Sequence, residues 1–402
     1  MTQAQAKALD GIRVLDLTNV LSGPFATLHL ALLGAEVIKV ENPTDGDLAR
    51  KLGNVPRLNK ELMGTSFLAQ NANKKSLTLN LKKPEAREIF GKLLETADVV
   101  VENFRPGVMK RLGFSWERMR EINPRLVYCA ISGFGQDGPD ADKPAYDQII
   151  QGLSGEMDVN GDERLHPLRA GFPVCDTVGG MNAAFAILAA LYHRERTGEG
   201  QMIDVALLDS IMPLMGWVAA NLLIGGQDPV AIGNDNFTAA PSGMFKTKDG
   251  HVNIAANKQE QWEAVCDVLG VPGLKTDPRF EERDTRKRNR HALTPLLEAK
   301  LSERPTAEWV GLLNARDVPS GDILALAAAL RQPQVAHRRT LVEIETPGVG
   351  KIPLFNLTAK FEKTPGSLDA PPPRLGAQTE EILGRIGYGP DRVAELKKNG
   401  IV

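Results

Sequence analysis

The chain has 402 residues, of which 42% are hydrophobic and 24% charged, and its formal net charge is −2. This balance is ordinary for a globular protein of about two domains and gives no indication of a nucleic-acid-binding surface. The three cysteines favour a reducing compartment over a disulfide framework, and without a CxxC pair or a His/Cys cluster no structural metal site is predicted.

The N-terminus, MTQAQAKALDG, lacks the basic start and the apolar run of a signal peptide. A later stretch, VALLDSIMPLMGWVAANLLIGG, is apolar but carries Asp209, Pro213 and Asn221. It is therefore shorter in uninterrupted apolar residues than the roughly 20 that a membrane span requires. We interpret it as a buried helix and predict a cytoplasmic enzyme or binding protein with no membrane partner.

The first 135 residues alternate between short apolar strands and helices. Strands are predicted at Ile12–Leu17, Glu36–Glu41 and Ser76–Leu81, and two more at DVVVENF and RLVYCAIS. ATLHLALLGA is helical in character, and Pro84 opens a second helix, because proline is tolerated in the first helical turn. This alternation predicts a parallel sheet covered by helices.

The spacing GxGxxG occurs at GFGQDG, from Gly133 to Gly138, directly after a predicted strand. A dinucleotide site needs a helix N-terminus immediately after the glycines, to receive the pyrophosphate. Here PDADKPAYD follows, with two prolines and no helix signal. The context therefore disfavours an NAD site.

Asp176 lies in GFPVCDTVGG, just before a long apolar stretch. Aspartate is a favoured N-cap, so a helix from about Thr177 to Glu195 is predicted. The same position suits a nucleophile, because the helix dipole favours the ionised carboxylate and nearby backbone N–H groups can hold an oxyanion. The two glycines that follow let a substrate approach the backbone. Spacing leaves both roles open, whereas Cys175 is predicted to be a core residue.

From about Gly225 the pattern changes. PSGMFKTKDGHVNIAA predicts a β-hairpin with Asp249-Gly250 as its turn, and helices are predicted around 259–269, 291–301 and 307–315. Residues 227–330 are predicted to form a smaller domain. The tail from about Thr340 is predicted to be an extended connection that ends in a polar helix.

Several stretches, in order along nearly the whole chain, resemble the family III CoA-transferases (the CaiB/BaiF family), the group that includes formyl-CoA transferase. Among them are VLDLTNVLSGPFATLHLALLGAEVIKVE, DVVVENFRPGVMKRLGF, AYDQIIQGLSG and CDTVGGMNAAFAILAALYHRERTGEGQMIDVAL. The resemblance implies an α/β fold with a Rossmann-like, CoA-binding large domain, made of residues 1–226 and the returning segment 331–402. It also implies a smaller α+β domain at 227–330 and an interlocked homodimer.

The resemblance makes Asp176 the catalytic nucleophile of a CoA-transferase that forms a covalent aspartyl intermediate. The implied donor is succinyl-CoA or another dicarboxyl-CoA, the acceptor is a carboxylic acid, and no metal is needed. One alternative is an α-methylacyl-CoA racemase or isomerase, which Tyr146 disfavours, because racemases carry a histidine base at that position. The other alternative is a CoA-binding protein without turnover. The region near AANKQEQW lacks the glycine run that covers the site in formyl-CoA transferases.

Coenzyme A contacts are also implied by the resemblance. They fall on Leu21, Ser22, Asn42, Leu79, Asn80, Lys82, Asn103, Phe104, Arg105, Arg111 and Tyr146. Lys82, Arg105 and Arg111 are the candidates for the phosphates, because charge-assisted contacts are the strong ones. Asn42 stands where some members carry an arginine.

Overall fold

The computed structural model describes residues 6–402, which form two compact units. The first unit comprises residues up to 157, 169–228 and 334–402, and the second comprises 158–168 and 229–333. The predicted range 1–226 therefore includes a segment, 158–168, that packs with the second unit instead. The Gly233 N–H donates to the Gly161 carbonyl at 2.7 Å, which is a contact that sequence proximity does not reveal.

The strands and helices follow in chain order. The strands are β1 (Arg13–Asp16), β2 (Glu36–Glu41), β3 (Lys74–Thr78), β4 (Val99–Glu102), β5 (Val127–Ser132), β6 (Met202–Ala206), β7 (Ser242–Lys246), β8 (His251–Ala255), β9 (Ser320–Asp322), β10 (Leu341–Thr346) and β11 (Gly350–Phe355). The helices up to the end of the long central one are α1 (Ser22–Leu32), α2 (Pro56–Lys60), α3 (Thr65–Leu68), α4 (Pro84–Leu94), α5 (Val108–Arg111), α6 (Trp116–Ile122), α7 (Asp147–Leu153), α8 (Glu156–Val159) and α9 (Val174–Thr197). The later helices are α10 (Leu207–Ile211), α11 (Trp217–Gly225), α12 (Gln259–Leu269), α13 (Arg283–Arg288), α14 (Arg290–Leu301), α15 (Thr306–Asn314), α16 (Leu326–Ala329), α17 (Pro333–His337), α18 (Thr379–Arg385) and α19 (Pro390–Lys398). Short 3-10 turns lie at Leu48–Lys51, Met212–Met215 and Pro272–Lys275.

Six parallel strands form the sheet of the first unit, in the order β3-β2-β1-β4-β5-β6. This confirms the predicted α/β class with a parallel sheet. The sixth strand, MIDVA, was not predicted, because it lacks an apolar run, and only its last two residues, Val205 and Ala206, are buried. The strand order reverses between β1 and β4, and in such sheets the crevice at the carboxyl ends of the strands is the usual ligand site.

Each face of this sheet is covered by helices because successive side chains along a strand point in opposite directions. Val14 packs into a core cluster with α1 and α9, whereas its neighbour Leu15 packs into a second cluster with α4, α18 and α19. The C-terminal helices belong to the first unit, since the Thr379 hydroxyl accepts the Thr78 N–H at 3.0 Å. The N-terminal part of the chain therefore contributes strand β1 to the sheet, and the C-terminal part contributes the helices α18 and α19 that pack on one of its faces.

The apolar stretch at 205–226 is not the single buried helix that was predicted, and its first two residues, Val205 and Ala206, end β6. It forms α10, a 3-10 turn and α11, the two helical parts being bent by 82°. No residue of α11 is buried, and Leu223 and Ile224 are 82% and 88% exposed. Apolar composition predicted burial but not what would cover the helix, and nothing within the described chain does.

By length and composition alone, α9 is apolar enough to span a membrane. Core helices of globular proteins pass the same test, and α9 supplies Ala183 and Ile187 to a core cluster. Near its C-terminus Arg194 is buried and pairs with Asp98 at 2.8 Å. These contacts make α9 a structural helix of the first unit.

The second unit has a three-stranded antiparallel sheet in the order β7-β8-β9. The hairpin of β7 and β8, with its turn at Asp249-Gly250, is confirmed. The helices predicted for this region match α12, α14 and α15, and their core surrounds the buried Trp262. By contrast, the predicted extended connection after Thr340 is a second hairpin, β10 and β11, in the first unit.

Candidate active site

A cleft of about 320 Å³ opens at the carboxyl ends of β1, β4, β5 and β6, beside the first turn of α9. The predicted site residues that line it are Leu21, Ser22, Asn103, Phe104, Tyr146 and Asp176. Its wall also includes Gly133 of the GFGQDG motif, and seven residues that the sequence did not single out: Asn19, Val20, Leu48, Ile131, Ser132, Ala145 and Leu207. We call this cleft the reaction cavity.

A second cavity of about 250 Å³ lies at the ends of β1, β2 and β3. Four residues for which the resemblance predicts coenzyme A contacts, Asn42, Leu79, Asn80 and Lys82, line it. Asn19 and Phe104 line both cavities, so the two spaces are neighbours along one edge of the sheet. We call the second space the outer cavity.

Two predicted contact residues, Arg105 and Arg111, line neither cavity. Both are exposed, Arg105 in the loop after β4 and Arg111 at the end of α5. Together with Lys82 they have no ion-pair partner among residues 6–402, and the two cavities have no other lysine or arginine in their walls. The three unpaired cations among the predicted contact residues are therefore exposed at the rim of this edge, whereas the buried Lys39, Arg50 and Lys74 are all paired with carboxylates.

Asp176 is the third residue of α9 and not its N-cap, so the predicted cap is wrong. The helix begins two residues earlier, at Val174, and its N-cap is Pro173, which has no capping side chain. The capping group is Asp147, whose Oδ1 accepts the Cys175 N–H at 2.8 Å and the Asp176 N–H at 3.1 Å. Because a carboxylate 29 residues upstream caps the helix, the side chain of Asp176 is left for the reaction cavity.

The capping carboxylate is itself held by a short network. Asp147 begins α7, and its Oδ2 accepts the Gln151 Nε2 at 2.6 Å. Gln151 Oε1 in turn accepts the Ala170 N–H at 2.9 Å, in the segment that leads into α9. Both side chains are buried. The start of α9 is therefore fixed from α7.

The first-turn amides of α9 are not free to hold an oxyanion, contrary to the expectation from the sequence. Two of them bond Asp147, the Val174 N–H bonds the Phe172 carbonyl, and the Thr177 N–H bonds the Pro173 carbonyl. A helix N-terminus stabilises an anion through unpaired N–H groups, and these are paired.

The sequence suggested that the helix start keeps the carboxyl of Asp176 ionised, and this is wrong. Burial, with a smaller contribution from the Asp147 carboxylate, raises the pKa of Asp176 to about 7. No cation pairs with it among the described residues. Burial likewise raises the pKa of the neighbouring Cys175 thiol to about 12, and this residue is a core residue as predicted.

The glycines after Asp176 serve helix packing and not substrate approach. A Cβ on Gly179 would lie 2.2 Å from Cδ2 of Leu207, and one on Gly180 would lie 2.4 Å from the Ser22 carbonyl oxygen. Both glycines are buried. Their absent side chains let α1 and α10 approach α9, which brings Ser22 and Leu207 to the same cavity as Asp176.

The loop after β1 is held by buried charges. Lys39 donates to the Thr18 carbonyl at 2.7 Å and pairs with Asp47 at 3.0 Å. Asp47 Oδ1 accepts the Val20 N–H at 2.9 Å, and Val20 has a φ of 66°, which is uncommon for a β-branched residue. This support fixes the chain just before Leu21.

Asn103 joins the loops after β1 and β4, the two strands at which the sheet order reverses. Its Oδ1 accepts the Asn19 N–H and its Nδ2 donates to the Asn19 carbonyl, both at 2.8 Å. The sequence identified Asn103 but not Asn19, although a position just after a strand end was an available signal.

Tyr146 and the GFGQDG loop complete the wall. Tyr146 is 70% exposed and is the N-cap residue of α7. No helix begins directly after GFGQDG, as predicted, since the next one starts at Asp147. Gly133 lines the reaction cavity, and a Cβ there would lie 2.3 Å from that of Ala145.

Residues 6–402 contain no group of three or more His, Cys, Asp or Glu placed to hold a metal ion.

Comparison with known proteins gives a consistent result. Residues 9–379 match CoA-transferase family III. The chain is 39% identical over 397 residues to the succinyl-CoA:glutarate CoA-transferase of Mus musculus, covering 98% of this chain and 90% of that protein. It is 43% identical over 349 residues to the acetyl-CoA:oxalate CoA-transferase of Acetobacter aceti, covering 85% and 87%. The crystal structure of a CAIB/BAIF family protein from Brucella suis superimposes with a TM-score of 0.83 at 34% identity, over 95% of this chain and 100% of that one.

Proposed function

The chain belongs to CoA-transferase family III, and we propose that it moves coenzyme A between dicarboxylic acids through a covalent intermediate on Asp176. The observation that carries this proposal is the unpaired, partly buried carboxyl of Asp176 in the reaction cavity, with its pKa raised to about 7. A carboxyl poised near neutral pH is a stronger nucleophile when ionised than an ordinary aspartate, because basicity and nucleophilicity rise together.

The proposed reaction begins when the ionised Asp176 attacks the thioester carbonyl of the donor. The carbon–sulfur bond breaks, which leaves a mixed anhydride and the thiolate of coenzyme A. The thiolate then attacks the aspartyl carbonyl of the anhydride, which releases the donor acid and forms an aspartyl thioester. The acceptor carboxylate attacks that thioester, and the thiolate returns to the acceptor carbonyl and frees Asp176. Each step conserves the acyl-transfer free energy, so ATP is not required.

The relatives support dicarboxylic acids as the substrate class. Two of the curated relatives are named for succinyl-CoA with glutarate and for acetyl-CoA with oxalate, at 39% and 43% identity. We propose succinyl-CoA as a donor and a short dicarboxylate as the acceptor. The racemase alternative is disfavoured, since Tyr146 offers a phenol where proton exchange at the α-carbon needs a base such as histidine.

We propose that coenzyme A extends along the sheet edge, with its thioester in the reaction cavity and its body in the outer cavity. The support is the adjacency of the two spaces across Phe104 and the position of three cations at the rim. Lys82, Arg105 and Arg111 have no carboxylate partner among the described residues, so they are free to bind phosphates.

We also propose that the protein is a cytoplasmic, interlocked homodimer. The first unit exposes apolar side chains along one side of α9, at Met181, Phe185 and Tyr192, and along α11 at Leu223 and Ile224. Exposed apolar surface of this kind is typical of subunit interfaces. A solution mass of twice the 43.6 kDa chain, measured by light scattering, is the expected result, and a monomer would contradict the dimer.

Trapping the intermediate tests the mechanism. The wild-type protein is incubated with succinyl-CoA, treated with hydroxylamine and digested, and the peptide that contains Asp176 is analysed by mass spectrometry. We expect an aspartyl hydroxamate at Asp176 in the wild-type protein, and neither adduct nor transfer in Asp176→Ala. Transfer by Asp176→Ala at the wild-type rate would refute the mechanism.

The same preparation separates the alternatives. A panel of dicarboxylic acids offered with succinyl-CoA identifies the acceptor. Deuterium exchange at the α-carbon without movement of coenzyme A would indicate a racemase. Binding of coenzyme A without transfer to any acid of the panel would indicate a binding protein.

A further inference from the structure

Glu102 is a buried carboxylate that the proposed mechanism leaves unused. It ends β4, it is 3% exposed, and it has no cationic partner among residues 6–402. Burying a carboxylate without a counter-charge is costly, so its position calls for a compensating role. The two predicted coenzyme A contacts Asn103 and Phe104 follow it directly.

Both oxygens of Glu102 accept a hydrogen bond. Oε2 accepts the backbone N–H of Phe104 at 2.7 Å, and Oε1 accepts the hydroxyl of Tyr128 at 2.8 Å. Tyr128, on β5, is nearly fully buried and stacks on Trp116 with an interplanar angle of 11°. The carboxylate therefore ties the turn after β4 to a rigid element of the sheet.

This turn is the boundary between the two cavities. Phe104 lines both of them, and its backbone N–H is directed back to Glu102. Asn103 is independently tied to Asn19 through two hydrogen bonds. Two consecutive residues of this turn are thus held from different sides. Phe104 is tied through Glu102 to Tyr128 of β5, and Asn103 is tied to Asn19 in the loop after β1.

We propose that Glu102 is a positioning residue that holds Phe104 as the shared wall of the reaction and outer cavities, and thereby sets the affinity for acyl-CoA. This inference rests on the proposed placement of coenzyme A along these cavities. Glu102 lines neither cavity, so the proposed role is in binding and not in the chemical step.

The surroundings of Glu102 also make this support dependent on pH. Burial raises the pKa of Glu102 to about 7, and the Asp204 carboxylate of β6 adds to the rise. The hydrogen bonds from Tyr128 and from the Phe104 N–H lower this pKa, but by less than burial raises it. The charge of Glu102 also acts on Cys129 of β5, a buried thiol whose pKa is raised, chiefly by burial. When Glu102 takes up a proton, its bond to the Phe104 N–H becomes one to a neutral acceptor, which is weaker. Affinity for coenzyme A is therefore expected to fall as the pH drops below 7.

Three variants test the proposal. Glu102→Ala leaves the Phe104 N–H without its acceptor, so KM for acyl-CoA is expected to rise about tenfold, with kcat within about twofold of wild type. Glu102→Gln keeps an acceptor for Phe104 and a partner for Tyr128, so it is expected to restore KM to within about threefold of wild type. Tyr128→Phe removes only the second bond, and KM is expected to rise about threefold.

Calorimetric titration with free coenzyme A provides the second readout. Between pH 8 and pH 5.5 the wild-type affinity is expected to fall about threefold more than that of Glu102→Gln, which has no proton to gain. The comparison removes the titration of the ligand itself. Equal slopes for the two proteins would overturn the pH dependence.

The positioning role would be overturned if Glu102→Ala matched wild type, if it lowered kcat at unchanged KM, or if Glu102→Gln were as impaired as Glu102→Ala. Should Glu102→Ala fail to fold, Tyr128→Phe at unchanged KM is the overturning result. In each case the wild-type protein transfers coenzyme A. A wild-type protein that did not do so would instead contradict the proposed function.

Discussion

The two halves of the sheet edge differ in whether their buried charged groups are paired with groups of opposite charge. At the ends of β1, β2 and β3, Asp16 pairs with Lys74 at 3.0 Å, Lys39 with Asp47 at 3.0 Å, and Arg50 binds Glu41 through two bonds at 2.7 and 2.8 Å. Around β4, β5 and α9, three carboxylates, Glu102, Asp147 and Asp176, have no cationic partner among the described residues.

The acidities follow this division. Burial disfavours the ionised form of Asp16, but Lys39 and Lys74 outweigh it and hold the pKa of that carboxyl well below its usual range. Burial without such a partner raises the pKa of Glu102 and of Asp176 to about 7. Paired charges thus hold the backbone, while the unpaired Glu102 and Asp176 provide carboxyl groups with a pKa near neutral.

Asp176→Asn should have the largest effect and act in opposite directions on activity and stability. Without the nucleophile, kcat is expected to fall by about a thousandfold or more. The folded pKa of Asp176 is raised, so native protein keeps its proton between about pH 4 and 7 while unfolded chain loses it, and wild-type stability falls across that window. The variant avoids this loss, and its Tm at pH 8 should exceed that of wild type by roughly 2–4 °C.

Thermal unfolding at pH 5 and pH 8 checks this expectation. The advantage of Asp176→Asn should be present at pH 8 and smaller at pH 5. Asp228→Asn, which removes an exposed carboxylate without an ion-pair partner in the described chain, is the control and should change neither property. A variant less stable than wild type at pH 8 would mean that the Asp176 carboxylate is compensated after all.

Lys74→Met should destabilise the half of the sheet edge in which buried charges are paired, because it removes the partner of Asp16. Burial lowers the pKa of Lys74 to about 8 despite Asp16, and the substitution would leave Asp16 buried with one cation fewer. The unfolding free energy measured in urea should fall by about 3–5 kcal/mol, while kcat stays within about threefold where the protein is folded.

Lys75→Met is the matched control for that substitution. Lys75 is the next residue of β3, it is partly exposed, and it pairs with Glu36 and Glu381. Its replacement should cost less than about 1 kcal/mol. If the two substitutions cost the same, the paired cluster would not be what holds this half of the edge.

Asp147→Asn tests whether one unpaired carboxylate, Asp147, raises the pKa of another, Asp176. The Asp147 carboxylate contributes to the raised pKa of Asp176, so removing its charge lets Asp176 ionise at lower pH. The acidic limb of kcat/KM, expected near pH 7, should move down by about one unit. Gln151→Met removes the support of the 170–172 segment but no charge, so the limb should stay in place. A limb that stayed fixed in Asp147→Asn would exclude like-charge repulsion as a cause.

Arg111→Met should have the smallest effect, since its unpaired charge is exposed and already solvated. KM for acyl-CoA should rise about threefold, and the rise should shrink at high salt. Arg120→Met, at an exposed site on α6, is the control and should leave KM unchanged. Equal effects of the two substitutions would indicate a general charge effect and not a phosphate contact.

Much of the fold was predictable from the sequence, which also singled out the residue that we propose as the nucleophile. The βα alternation predicted the parallel sheet, Asp249-Gly250 predicted the hairpin, and the ordered resemblance identified Asp176 as the candidate nucleophile. These features depend on neighbours in the chain or on the order of motifs along it. Local patterns also gave errors, such as the buried helix predicted at 205–226, because apolar composition does not specify which surface covers a helix.

The properties of Asp176 were decided by tertiary structure alone. Its spacing suggested an N-cap kept ionised by the helix, but Asp147, from 29 residues away, took the capping role and helped to raise its pKa. The glycines beside it serve the packing of α1 and α10, whose residues Ser22 and Leu207 they contact. Which charges are paired was likewise not readable from composition, since Asp16 and Lys74 are 58 residues apart. Acidity depends on burial and on charges within a few ångströms, and folding brings those groups together from distant parts of the chain.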